Sequence, residues 1–312
     1  MLSGKLMSFK FTLHQLEYLV AVADEGSISA AATRTHATAG AVSMSLKELE
    51  QRLGVQLFIR RKAKAITLTA AGNRTLADAR RILAAAEELQ GSASTTQNDI
   101  AGTLPVGCYS TLAPFLIPPV LDEFAGEYPA LTVQMIEGSA DAVLDAIGDG
   151  RCEIGFLYKQ DLPAGLECAV IRTSKPYVIL ADDHPLAVQR EVKLADLADE
   201  PLIMFDVPSA RNAAQLLESV GLTARIRHFS SNIEVVRSLV ARGIGYSILV
   251  QQWPIDVSYE GLPIAARPIE DPTTEREVVL AWMSDTRLTR RAHALIDFCR
   301  LTFLDDPPDL VF

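Results

Sequence analysis

Four cations in five positions, Arg60, Arg61, Lys62 and Lys64 of "RRKAK", are the densest chemical signal in this 312-residue chain. They form the cationic tip of "VQLFIRRKAKAITLT", a segment in which apolar and basic residues alternate. Such a pattern suits a two-stranded wing whose charged tip grips phosphates or enters a narrowed minor groove. Hydroxyls give a second signal. Ser110 with Thr111, Ser139, Ser209 and Ser231 with Asn232 each mark a place where a strand-like run gives way to a helical one. Each is an ordinary helix N-cap by itself. Several converging on one cleft, where helix N-termini present free N–H groups, would hold a carboxylate. Nucleophilic chemistry finds little support. The histidines His14, His36, His184, His228 and His293 lie far apart, and "GIGYS" is not a GxSxG elbow. No GxGxxG or GxxxxGK[ST] phosphate loop occurs. Cys108, Cys152, Cys168 and Cys299 form no CxxC pair and have no histidine at metal spacing, so they read as reduced thiols in or near cores. No catalytic residue, metal or cofactor is expected.

The elements that position these groups follow from composition and pattern. Hydrophobic residues make up 49% and charged residues 22%, which supports a sizeable core and excludes dominant disorder. The most apolar stretches, "TLAPFLIPPVL" and "GIGYSILV", fall short of the roughly 20 residues a bilayer span needs. The first twenty residues lack the apolar core and cleavage site of a secretory signal. The expectation is a cytoplasmic chain with no membrane partner. The net charge of −10 conceals an asymmetry. Residues 1–95 hold twelve basic and eight acidic side chains, and the remainder holds seventeen and thirty-one, so +4 stands against −14. A basic segment joined to an acidic body suggests a polyanion-binding module attached to something else.

From Leu13 to about Leu89 the apolar period is helical. Leu16, Leu19, Val20 and Ala23 form one stripe, and Val42, Leu46, Leu49 and Leu53 another. Gly26 ends the first helix, Ser27 caps a second, and Thr38 caps a third after a break at "HATA". Two short helices with a tight turn make a helix-turn-helix candidate. On the third helix, the face opposite the buried stripe offers Thr38, Ala39, Ser43, Met44 and Lys47 to base edges, with Arg34 and Arg52 available for the DNA backbone. "TAAGNRTLADARRILAAAEELQ" reads as a long connecting or dimerising helix, and "GSASTTQNDIAG" as a polar linker. Beyond Leu104, strand-like and helical runs alternate, the signature of parallel α/β units, in an amount that suits two small lobes.

With these motifs in view, the chain resembles the LysR-type transcriptional regulators. The resemblance lies in the "FVAVAEEGSFTRAA"-like segment at 19–32, "LE..LG..LF.R" at 49–60 and "LT.AG" at 68–72. It continues in "GTLPVGCYSTLAPFLIPPVLDEFAGEYP" and "RSLVARGIGYSILV". It implies an N-terminal all-α winged helix-turn-helix followed by a two-lobed, periplasmic-binding-protein-like α/β effector domain. The division expected is 1–70 for DNA binding, 71–101 for the dimerisation helix and hinge, and 102–312 for the effector domain. Lobe I would take about 102–175 and 275–306, and lobe II about 176–274. The resemblance also implies a small, often carboxylate-bearing inducer between the lobes. Ser110 and Thr111 fall where relatives place a first ligand-contacting hydroxyl, and Ser139 matches a second site. Pro208–Ser209 and the "GIGYS" loop with Ser247 match others, and Tyr158 is a candidate apolar wall. Where relatives show "SQPALSRQI", this chain reads "TAGAVSMSL", so Ala39, Gly40 and Met44 replace the usual Gln, Pro and Arg. Bidentate base readout from those positions is excluded; methyl contacts, hydroxyl contacts and shape readout remain. The expected partners are double-stranded DNA, a small effector, and copies of the chain in a homodimer or homotetramer. The competing reading is a small-molecule enzyme or solute-binding protein with an accessory N-terminal domain.

Overall fold

The computed structural model describes residues 10–59, 66–94, 100–207 and 212–303. The chain divides into two compact units, one of residues 1–108, 115–155 and 282–294, the other of 109–114, 156–281 and 295–312.

Local hydrogen bonds set the helices at the start of the first unit. Thr12 and Gln15 form a capping box on α1 (Leu13–Glu25), and Gly26 ends that helix at φ 63°, a conformation open to glycine at little cost. Ser27 caps α2 (Ile28–Arg34) and Thr38 caps α3 (Ala39–Leu53), each hydroxyl accepting the N–H three residues on at 3.2 Å. These caps stand where the sequence placed them. His36 bends the intervening turn with φ 52°. Leu16, Leu19 and Val22 of α1 pack with Ala31, Val42, Leu46 and Leu49 in one core. Leu53, the last residue of α3, closes that face only half-buried. The strands β1 (Phe58–Ile59) and β2 (Thr67–Leu68) pair antiparallel, as a wing requires. Then α4 (Ala70–Ser94) begins, capped by Thr69 Oγ1 on the Gly72 N–H at 2.9 Å. Leu76 and Ala79 join α4 to the core of α1–α3.

The α/β part follows as β3 (Gly102–Tyr109), α5 (Ala113–Pro119), α6 (Ala125–Glu127), β4 (Leu131–Gly138), α7 (Ala140–Gly148), β5 (Ile154–Tyr158) and β6 (Leu166–Ser174). It continues with β7 (Tyr177–Ala181), β8 (Leu202–Phe205), α8 (Asn212–Ser219), β9 (Ile226–Ser230), α9 (Ile233–Ala241), β10 (Ser247–Leu249), β11 (Ile264–Pro268), β12 (Arg276–Met283) and α10 (Arg290–Phe303). A wider π-type turn, Val120–Phe124, joins α5 to α6 where Pro118 and Pro119 remove two helical donors. Five strands run in the order β4-β3-β5-β12-β6. Every residue of β5 and of β7 is buried, which explains their unbroken apolar sequences. Strands β8 and β9 pair in parallel, but β10 and β11 both run antiparallel to β7. The sheet of β10-β7-β11 therefore departs from the expected parallel pattern. Alternation of strand and helix along a chain does not set pairing direction when a strand pairs with distant strands instead of its successor.

Candidate nucleic-acid interface and effector site

On α3 the apolar period buries Val42, Leu46 and Leu49 and turns Thr38, Ala39, Met44 and Lys47 outward, with Ser43 half-buried at the margin. Met44 is 63% exposed, large for a thioether with no structural task. The Thr38 hydroxyl already accepts the Ala41 N–H, which leaves its own proton and a lone pair for another partner. The sequence-selected residues of this helix thus share one open face. Arg34 is placed differently, with its guanidinium 3.0 Å from Asp24 Oδ2 and 3.2 Å from Glu25 Oε1. Arg52 donates to the Lys10 carbonyl at 3.0 Å. Arg60, Arg61, Lys62 and Lys64, between β1 and β2 in sequence, lie outside the described residues.

In the second unit Thr111 and Tyr158 come together. Tyr158 ends β5, buried, with its hydroxyl accepting from Gln251 Nε2 at 3.0 Å. Its ring meets Tyr109 edge-on, centroids 6.1 Å apart. The Tyr177 hydroxyl donates to the Gln251 carbonyl at 2.8 Å, which fixes that residue from its other side. Burial pushes the Tyr158 phenol well above the ordinary tyrosine range, against the opposing pull of Gln251 and Thr111, and the nearby Tyr109 and Asp161 add to the rise. Tyr158 is therefore a neutral donor and acceptor at physiological pH. Thr111 lies close enough to favour the phenolate, yet its buried Oγ1 closes no hydrogen bond of good geometry. An unsatisfied buried hydroxyl costs about 1–3 kcal/mol, and a ligand atom can recover it.

The other selected hydroxyls have other settings. Ser110 is exposed beside Thr111. Ser139 is exposed and caps α7 through the Ala142 N–H at 3.2 Å. Ser247 is buried, with its hydroxyl donating to the Ile203 carbonyl at 2.8 Å. Pro208 and Ser209 lie outside the described residues. Gln251 and Tyr177 escaped the sequence reading, because neither stands at a strand-to-helix crossing and no local pattern marks them.

Residues 13–73 match the bacterial regulatory helix-turn-helix protein family of lysR type, and residues 97–303 match the LysR substrate binding domain. The chain is 28% identical over 296 residues to the HTH-type transcriptional regulator YvbU of Bacillus subtilis, covering 94% of this chain and 99% of that one. The solved structure of HinK, a LysR family transcriptional regulator from Pseudomonas aeruginosa, is 32% identical with a TM-score of 0.63, over 94% of this chain and 98% of that one. The structure of full-length CbnR in complex with its target DNA is 25% identical with a TM-score of 0.55, over 93% of this chain and all of that one, 100%. This family consists of transcriptional regulators, not enzymes. With a helix-turn-helix core, an exposed face on its third helix and a mixed α/β domain in that order, the chain belongs to the LysR family as a DNA-binding transcriptional regulator with an effector-binding domain.

Proposed function

We propose that this cytoplasmic regulator reads its operator with Thr38, Ala39, Ser43, Met44 and Lys47 and grips the flanking phosphates with Arg60, Arg61, Lys62 and Lys64. Arg34 reaches the backbone only by giving up Asp24 and Glu25. Without the usual Gln, Pro and Arg, apolar contact with thymine methyls and groove shape carry the sequence preference. The division into 1–70, 71–101 and 102–312, with lobes as assigned from the sequence, is part of the same reading. So is assembly through α4, where Ile82 (39% exposed) and Leu89 (70% exposed) lie seven residues apart on one helix face. A homodimer or homotetramer buries them.

The effector is a small molecule bearing a carboxylate. One observation carries this reading: the buried, unsatisfied Thr111 Oγ1 at the entrance to α5, beside the neutral Tyr158 hydroxyl, so that two hydroxyls can donate to one anionic group. Ser110, Ser139, Pro208, Ser209 and Ser247 remain candidate effector contacts on the strength of the sequence alone. A thermal-shift screen of small carboxylates against their matched amides tests it. A carboxylate at a hundred times its Kd stabilises the fold by about 2.7 kcal/mol, while its amide does not. Stabilisation by the amides alone overturns the carboxylate.

A further inference from the structure

Asp24 on α1, Arg80 on α4 and Asp149 at the end of α7 form one ionic chain inside the first unit. Arg80 Nη2 donates to Asp24 Oδ1 at 2.5 Å, and the other oxygen of Asp24 takes Arg34 Nη2 at 3.0 Å. Arg80 Nη1 donates to the Asp149 carbonyl at 2.8 Å and stands 3.5 Å from Asp149 Oδ1. Asp149 is clamped in turn by Arg151 Nε at 2.9 Å. Only 12% of the Arg80 side chain is exposed, so solvent and salt screen the bridge less than they would a surface pair.

A second observation puts the same turn hard against α4. Gly150 takes φ 72°, and a Cβ there would lie 3.2 Å from the Ala77 carbonyl and 3.4 Å from Arg80 Cβ. The turn has room for hydrogen and little more. The planar guanidinium then spans two elements with opposite nitrogens, a geometry that the single ammonium of lysine cannot reproduce. At its far end α7 begins at Ser139, about 13 Å away along a nine-residue helix.

We infer that Arg80 is the positioning residue through which α7 sets the helix-turn-helix: Asp149 fixes one end of its guanidinium, and Asp24 passes that position to α1 and to Arg34, just ahead of the turn into α3. The Ser139 end of this route rests on the proposed effector site; the link from Asp149 to Asp24 does not.

The test therefore uses the full chain with no effector added, and a DNA duplex that the chain itself selects from a random-sequence library. Asp149→Arg sets a cation against Arg80. It lowers DNA affinity by about three- to tenfold more in the chain with Arg80 than in the Arg80→Met chain, because coupled residues are non-additive. An equal effect in both backgrounds overturns the inference. Should Asp149→Arg melt early, Asp149→Asn keeps the side-chain volume and gives the same difference at about two- to threefold. Hydrogen exchange supplies the readout that a purely local role would not move. Asp149→Asn, which touches neither Asp24 nor Arg34, speeds exchange at the end of α1 in the chain with Arg80 and not in the Arg80→Met chain, and a change confined to the end of α7 refutes transmission.

Discussion

Arg237 Nε lies 3.2 Å from Glu234 Oε2, one turn earlier on α9, with both side chains nearly out of water. The same guanidinium donates to the carbonyls of Ile255 and Val257 at 2.9 Å each and covers the Trp253 ring at 4.6 Å. Glu234 also accepts the Tyr259 N–H. The pair thus ties the segment between β10 and β11 to α9. Removing one partner of a buried ion pair strands the other, at about 3–5 kcal/mol. Arg237→Met therefore lowers the melting temperature sharply, and adding Glu234→Gln to it costs less than Glu234→Gln alone. Strictly additive losses in calorimetry would disprove the coupling.

Replacing Arg60, Arg61, Lys62 and Lys64 with alanine weakens DNA binding whatever the sequence of the duplex. Each lost phosphate contact makes the slope of log affinity against log salt shallower by about 0.9. Fluorescence anisotropy over a salt series measures this directly. An unchanged slope would mean that the wing does not touch phosphates.

Thr111→Val removes an unsatisfied hydroxyl and keeps its shape, so stability holds or rises. Affinity for a stabilising carboxylate falls by about ten- to a hundredfold, the equivalent of roughly 1.5–3 kcal/mol for a hydrogen bond to a charged group. Titration calorimetry beside a melting curve separates the two quantities. Lower stability with intact affinity would leave Thr111 a structural residue.

The thiols are predicted to be slow. Burial pushes Cys152 up to about 12, with Arg151 opposing the rise and Asp149 adding to it, and it raises Cys108 and Cys299 further. Only the thiolate is nucleophilic, so labelling at these sites is suppressed at neutral pH and grows as the pH rises. Cys168, half-buried and raised less, takes iodoacetamide first. Mass spectrometry of the native chain showing Cys108 or Cys152 labelled ahead of Cys168 would contradict this.

Two glycines in helices should respond with opposite sign. A Cβ at Gly72 would stand 2.1 Å from the Leu57 carbonyl oxygen, so Gly72→Ala destabilises even though alanine gains about 1 kcal/mol in helix propensity. Gly40 has only Thr38 Oγ1 nearby, at 4.0 Å, so Gly40→Ala stabilises α3 by up to about 1 kcal/mol. Urea unfolding of the two variants decides both signs.

Much of the reading domain was legible in the sequence, because its signals are local. Gly26, Ser27 and Thr38 satisfy backbone groups within four residues, and the stripe of Val42, Leu46 and Leu49 follows from helical periodicity alone. The order of the domains and the family motifs were likewise written in consecutive residues. What escaped is long in sequence and short in space. Gln251 meets Tyr158 across 93 positions, and Arg80 meets Asp24 and Asp149 across 56 and 69. The antiparallel pairing of β10 and β11 with β7 also depends on which elements dock, not on any one segment. Local sequence determines where a helix starts and which face it buries; which distant side chain then stands opposite is decided by packing, where the loss of chain entropy is offset only once the whole core closes.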